Sequence, residues 1–227
     1  MISLKNYILL CLSSLIILAC TNNTEDYFFH VKQTHQNFID SNYKKAYEEA
    51  DKAIKIKTDN PIGYTLRGRA LFEMDRNLDA RKDFRNAVHL DSLNTTSLYY
   101  MGLISYDLNE YTMAIEYFNK AISTKGSDTL YFELNDKLSE YTYEENISMA
   151  SLKYFRGICY YYNNDFINAL TDLTFAANEN YNKGRCFFYI GLMALTNRKE
   201  DLACKYLTLS IQNGYLEAGK YLPESCR

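Results

Sequence analysis

Few side chains in this sequence are of types that do chemistry, and their spacing argues against most of them. The three histidines stand at 30, 35 and 89. His30 and His35 are five apart, so they do not share a helix face and do not make a metal pair. His89 follows Val88 at an expected helix end, where it reads as a cap. Ser41 to Lys44 spells SNYK, a match to the Ser-x-x-Lys nucleophile string, but nothing else of that site is present and Ser41 falls where a turn is needed. Glu48 and Glu49 are adjacent and so point apart on a helix. No Gly-rich phosphate loop, paired-Cys motif or Gly-x-Ser-x-Gly elbow occurs. The expectation is no enzyme, no cofactor and no metal.

The cysteines carry more. Lys5, an apolar run over 7–18, Ala19 and Cys20 have the order of a secretory leader, too short to span a membrane. The string Ile17, Leu18, Ala19, Cys20 resembles the bacterial lipobox. That resemblance implies that Cys20 is diacylated through its sulfur, with chains such as palmitate, and becomes the first residue of the mature protein. Two or three acyl chains are enough for stable anchoring, at about 0.8 kcal/mol per buried methylene. The plain alternative is an ordinary leader in which Cys20 is incidental. Downstream, Cys159, Cys186, Cys204 and Cys226 are spaced by 27, 18 and 22, which fits no metal pattern. In an oxidising compartment they are free to pair. Cys159, amid aromatics, reads as a small buried residue; Cys186 and Cys226 can meet if the tail folds back, and the pairing stays open at this stage.

The elements that must position these residues are set by a repeat. Gly68 and Gly102, Ala80 and Ala114, Phe84 and Phe118, Ala87 and Ala121 are each 34 apart. Each unit reads as two helices, with Tyr64, Leu71 and Phe72 on one apolar face, a polar turn over 75–77, then Leu78, Phe84, Ala87 and Val88. Asp91 and Asn94 supply the break that follows. Tyr64, Gly68, Leu71, Ala80, Phe84 and Ala87 resemble the pattern of the tetratricopeptide repeat (TPR). Arg67 and Ser92 depart from it, where the family prefers Leu and Pro. A glycine inside a helix costs about 1 kcal/mol against Ala, so close approach of the partner helix is expected at Gly68. The resemblance implies an all-α fold, a TPR-type right-handed superhelix of stacked antiparallel helix pairs.

The sequence then divides into a leader (1–19), a lipidated Cys and tether (20–26, with Asp26 a candidate cap) and a repeat array over 27–227. Repeats are expected at 27–60, 61–94, 95–128, 150–183 and 184–214, the first degenerate as a terminal unit should be. Gly157, Ala169, Leu173 and Ala176 are 55 beyond their predecessors, so about 21 extra residues fall at 129–149. Leu130, Leu134, Leu138 and Tyr141 there are spaced for a helix with an acidic outer face, which reads either as an arm contacting a partner or as an extra packed helix. Gly214 ends the last hairpin, and Tyr215, Ala218, Tyr221 and Leu222 make a closing helix over 215–223 before Pro223.

By the same resemblance, Arg69, Phe72, Tyr99, Tyr106, Tyr154, Tyr161, Tyr162, Arg185 and Phe188 line a concave groove for a partner protein, unless some of them pack between hairpins instead. Tyr and Arg are frequent anchors of interfaces. Without the leader's one Lys the net charge goes from −3 to −4, so nothing favours nucleic acid. The 22 tyrosines and absent Trp look like codon bias and carry no function. The resulting expectation is a lipid-anchored scaffold of the bacterial cell envelope that binds envelope protein, without nucleic acid. Thr21 after the Cys leans by family analogy to the outer membrane, facing the periplasm or the surface. The alternatives are a glycan or small-ligand binding lipoprotein of an uptake system, its tyrosines stacking on sugar rings, and an accessory subunit whose partner brings catalysis.

Overall fold

The computed structural model describes residues 24–124 and 147–226. The expected leader, Cys20 and nearly all of the 129–149 stretch lie outside the described residues. Among the described residues the secondary structure is entirely helical. The chain divides into two compact units, one ending at Ser92 and the other beginning at Leu93.

The first unit holds α1 (24–39), α2 (Tyr43–Ile56), α3 (Pro61–Glu73) and α4 (Asn77–Leu90). α1 is already helical at 24, so Asp26 lies within it and is not its cap. The cause is Tyr27, which is fully buried with Val31, Thr34 and Phe38 on one face and needs a formed turn before it. α2 and α3 start on asparagines: Lys45 N–H donates to Asn42 Oδ1 (3.3 Å) and Ile62 N–H to Asn60 Oδ1 (2.9 Å). Pro61 takes the first helical position, where no donor is lost. α2 packs on α3 and α3 on α4.

The second unit holds α5 (Thr95–Asp107), α6 (Tyr111–Ser123), α7 (Met149–Tyr162), α8 (Phe166–Asn178), α9 (Lys183–Thr196) and α10 (Glu200–Gln212), each after α5 packed on the one before. α5 also touches α7, and α7 touches α9. The closing segment is a 3-10 helix over Leu216–Tyr221, not an α-helix. Its anchors explain this: Tyr215, Ala218 and Tyr221 recur every three residues, the period at which side chains eclipse in a 3-10 helix. Gly214, at φ +88°, makes the left-handed exit from α10.

Two features repeat with the landmarks. A Cβ added at Gly68 would stand 2.9 Å from Phe84, at Gly102 2.6 Å from Phe118, at Gly157 3.0 Å from Leu173 and at Gly191 2.8 Å from Leu207. The glycine is therefore what lets the second helix of each pair lie against the first. Between the two helices, Ser41, Asp75, Asn109, Asn164 and Arg198 all adopt left-handed backbone, φ 54° to 60°. In each turn the amide of the left-handed residue and the one after it close onto the preceding helix, as when Asp75 N–H donates to Phe72 O and Arg76 N–H to Leu71 O, both at 2.9 Å.

Arg67, the departure from the family pattern, is a fork. Its Nε and Nη2 donate to Asp83 Oδ2 and Oδ1, both at 2.7 Å, and its Nη1 to Asp51 Oδ1 at 2.6 Å. Arg156 repeats the device on Asp172 (2.6 and 2.8 Å) with Asn119 Oδ1 at 2.7 Å. Each fork ties a front helix to the second helix of its own pair and of the pair before.

The tail decides the pairing that the spacing left open. The disulfide joins Cys204 to Cys226, with Cα atoms 5.5 Å apart, and Cys186 is free. Cys186 points into the core with no exposure, and burial pushes its thiol up to about 12. Cys204 sits half-buried on α10, next to where the tail returns; Ser225 Oγ reaches Glu200 Oε2 at 3.3 Å.

Candidate functional site

In the first unit the expected groove residues are Arg69 and Phe72, both on α3. Arg69 is only 8% exposed, its guanidinium 4.0 Å from the centre of the Phe38 ring. It is spent on α1 and drops out as a partner anchor; Phe72 is half-buried. His35 is in reach of the same charge: burial, then Arg69, lowers its pKa to about 4. His30 is held by Glu49 (Nδ1 to Oε2, 2.6 Å), and the described residues contain no group arranged to hold a metal.

In the second unit the front helices α5, α7 and α9 bring the remaining residues together. Tyr154 is 1% exposed and edge-on to Tyr181 (5.4 Å) and Phe155 (5.0 Å). Phe188 is 8% exposed, against Tyr215 (4.9 Å) and Tyr221 (5.2 Å) of the tail. For these two, packing is the outcome and not groove lining, because the next element covers them. Tyr99 is half-buried between Phe118 (6.2 Å) and Phe155 (6.0 Å). Of the others, Tyr106 and Tyr161 are likewise half-buried, and Tyr162 and Arg185 are exposed.

Two tyrosines that sequence reasoning missed complete this surface. Tyr111, first in α6, stacks on Tyr162 with rings 4.7 Å apart and 10° from parallel. Tyr189, buried on α9, meets Tyr161 (5.1 Å) and Tyr162 (6.3 Å) edge-on. Neither occupies a landmark place in the repeat, so no spacing pointed to them. Beside the stack lies a shallow depression of about 380 Å³, lined by Glu110, Tyr111, Met113, Glu116 and Asn163 among others.

The chemistry of this surface is that of neutral phenols. Burial raises Tyr106, Tyr111 and Tyr161 above the ordinary phenol range. Burial and then a hydrogen bond with Tyr162 raise Tyr189 further. They remain protonated hydrogen-bonding groups on large flat apolar rings, which suits recognition. Cys159, on the buried side of α7, is likewise pushed by burial up to about 12 and stays a thiol. Ser41, of the SNYK string, sits exposed in its left-handed turn.

No family model matches the sequence, and no curated protein matches it. Solved structures do match. Pseudomonas aeruginosa PilF aligns with a TM-score of 0.63 and 17% identity, over 85% of this chain and 78% of that one. YrrB, described as a TPR protein with an unusual peptide-binding site, aligns with a TM-score of 0.65 and 17% identity, over 90% and 97% of the two chains. PilW, described as a widely conserved type IV pilus biogenesis factor, aligns with a TM-score of 0.62 and 15% identity, over 88% and 80%. At such identities the likeness is one of fold: this chain has the all-α fold of TPR proteins, made of stacked antiparallel helix pairs.

Proposed function

We propose that this chain is a lipid-anchored scaffold of the bacterial cell envelope that holds an extended or helical segment of another envelope protein and performs no catalysis itself. The observation that carries this reading is the tyrosine surface of α5, α7 and α9, where Tyr106, Tyr161 and Tyr162 keep part of their area open beside Arg185. Such amphipathic rings lose little side-chain entropy on binding and are the residues on which interface energy concentrates. The fold supports it, since proteins of the same fold include the peptide-binding YrrB and the pilus biogenesis factor PilW. The leader and its lipobox-like string support the anchor on Cys20. A disulfide between Cys204 and Cys226 suits an oxidising compartment outside the cytoplasm.

The glycan-binding alternative finds less support. A sugar ring stacks on an aromatic face, and Tyr111 and Tyr162 each have one face already turned on the other. The deciding experiment is a crosslinking pull-down of the full chain from its own membranes, with mass spectrometry of its N-terminus and of captured proteins. One dominant envelope partner, lost by at least tenfold when Tyr106, Tyr161 and Tyr162 are changed to Ala, is the expected outcome, tenfold being about 1.4 kcal/mol. Capture unchanged by the three substitutions would sink the surface, and an unmodified Cys20 would sink the anchor.

A further inference from the structure

The tail after Gly214 covers part of the last front helix. Tyr215 and Tyr221 flank Phe188 of α9, with ring centres 4.9 and 5.2 Å away, and leave it 8% exposed. The tail also reaches α7, since the Tyr161 phenol is raised by burial and then by Tyr162 and Tyr221. Tyr221 itself is 47% exposed, so it lies outside Phe188 as a cover.

Little else holds this cover in place. Tyr215 N–H donates to Ser210 O (3.1 Å), and from there the backbone bonds are local to the tail, Ala218 N–H to Tyr215 O and Cys226 N–H to Pro223 O. Lys220 pairs with Glu217, again within the tail. Of residues 216–226 only Ala218 is buried, and Leu222 is half-buried. Ordering each residue costs free energy that contacts must offset, and these contacts are few for a segment of this length. The disulfide from Cys204 to Cys226 supplies what is missing, by tying the far end of the tail to α10.

That disulfide is also within reach of an outside thiol. Cys204 and Cys226 are both half-buried, whereas Cys159 and Cys186 are 0% exposed. Exchange needs a thiolate with access to one of the two sulfurs, and the buried thiols of this chain lack it. Exchange must therefore start from another molecule.

We propose that the Cys204–Cys226 disulfide is a redox latch that holds the tail over Phe188, and that a dithiol reductant opens it. One thiolate of the reductant attacks one sulfur of the pair, forming a mixed disulfide and releasing the other cysteine as a thiolate that takes up a proton. The second thiol of the reductant then displaces the remaining cysteine. Two electrons have passed to the chain, both cysteines are thiols and the reductant is a disulfide. With the latch open the tail leaves α9, and Phe188 joins Tyr161 and Tyr162 at the surface. The use of that added surface in partner capture rests on the scaffold reading; the latch itself does not.

The test is hydroxyl-radical footprinting, read by mass spectrometry, on the detergent-solubilised full chain. The oxidised native sequence is set against the Cys204→Ser, Cys226→Ser double variant. Phe188 modification is expected to rise about fivefold in the variant, as when an open state of about 10% becomes the main one. Met193 and Leu207, in the core of the same helix pair, should stay protected. Phe188 equally protected in both chains would overturn the latch, and so would Phe188 rising together with Met193 and Leu207, because the pair itself would then be melting. On the native sequence, dithiothreitol followed by iodoacetamide without denaturant should label Cys204 and Cys226 and leave Cys159 and Cys186 unlabelled. A disulfide that resists reduction until the chain is unfolded would also overturn the proposal. In the membrane pull-down the double variant should capture about fivefold more partner, since apparent affinity follows the competent fraction; equal capture would overturn the role in binding. If Phe188 opens while neither chain captures an envelope protein, the scaffold reading fails and the latch stands.

Discussion

His35 has given up its charge in order to be packed. Burial first, and then the Arg69 guanidinium, bring its pKa from 6.5 down to about 4. Above pH 6.5 the ring is neutral in both folded and unfolded chains, and the stability of the packed state is complete. Between 6.5 and about 4 the unfolded chain takes up a proton that the folded chain refuses, so stability falls with pH, by about 3 kcal/mol in all. Urea denaturation at pH 7 and at pH 4.5 should show this loss in the native sequence and a smaller one in His35→Gln. An equal loss in both would mean that other groups drive it. The neighbouring Arg69 shows what a sequence leaves out at this scale. Repeat position places it correctly on α3, but only the Phe38 ring, contributed by a degenerate first helix, decides that the side chain is covered.

At the scale of the helix pair, the spacing of small residues was the legible part. Gly68, Gly102, Gly157 and Gly191 stand out because each has one steric job, to admit Phe84, Phe118, Leu173 or Leu207. Alanine in a helix ordinarily gains about 1 kcal/mol over glycine. At Gly102 the new methyl would sit 2.6 Å from the Phe118 ring, so Gly102→Ala should instead destabilise by about 1–3 kcal/mol. Urea unfolding measures it, and pairing the change with Phe118→Leu should recover part of the loss. A stabilised single mutant would refute the close-packing account. The arginine forks were less legible because they are pairs: Arg67 looks like a misfit until Asp83 is read with it, sixteen residues on, and the same separation joins Arg156 to Asp172. Tyr111 and Tyr189 were not legible, since what makes them part of the surface is the rings they meet from other helices. The disulfide did leave a sign. Cys186 is five before Gly191, as the buried Gly63 is five before Gly68, so it faces inward, and Cys204 follows the buried Ala203 and turns away from the core.

For the molecule as a whole, what matters is how the chain's end is held. Arrays of repeats draw their stability from neighbouring units, so a terminal pair has half the support of an internal one. Here the loop closed by Cys204 and Cys226, 22 residues in sequence separation, should contribute about 3 kcal/mol to the last pair. Cys226→Ser, or reduction, is expected to lower amide-exchange protection in α9 and α10 while leaving α2 and α3 unchanged. Uniform loss across the chain would show instead that the molecule unfolds as one cooperative body.

The same strap has a mechanical meaning. Tension on the tail would have to be borne by a covalent bond before the tail could be drawn away from α10. An end that would otherwise unzip hydrogen bond by hydrogen bond is thereby turned into a fixed point of attachment.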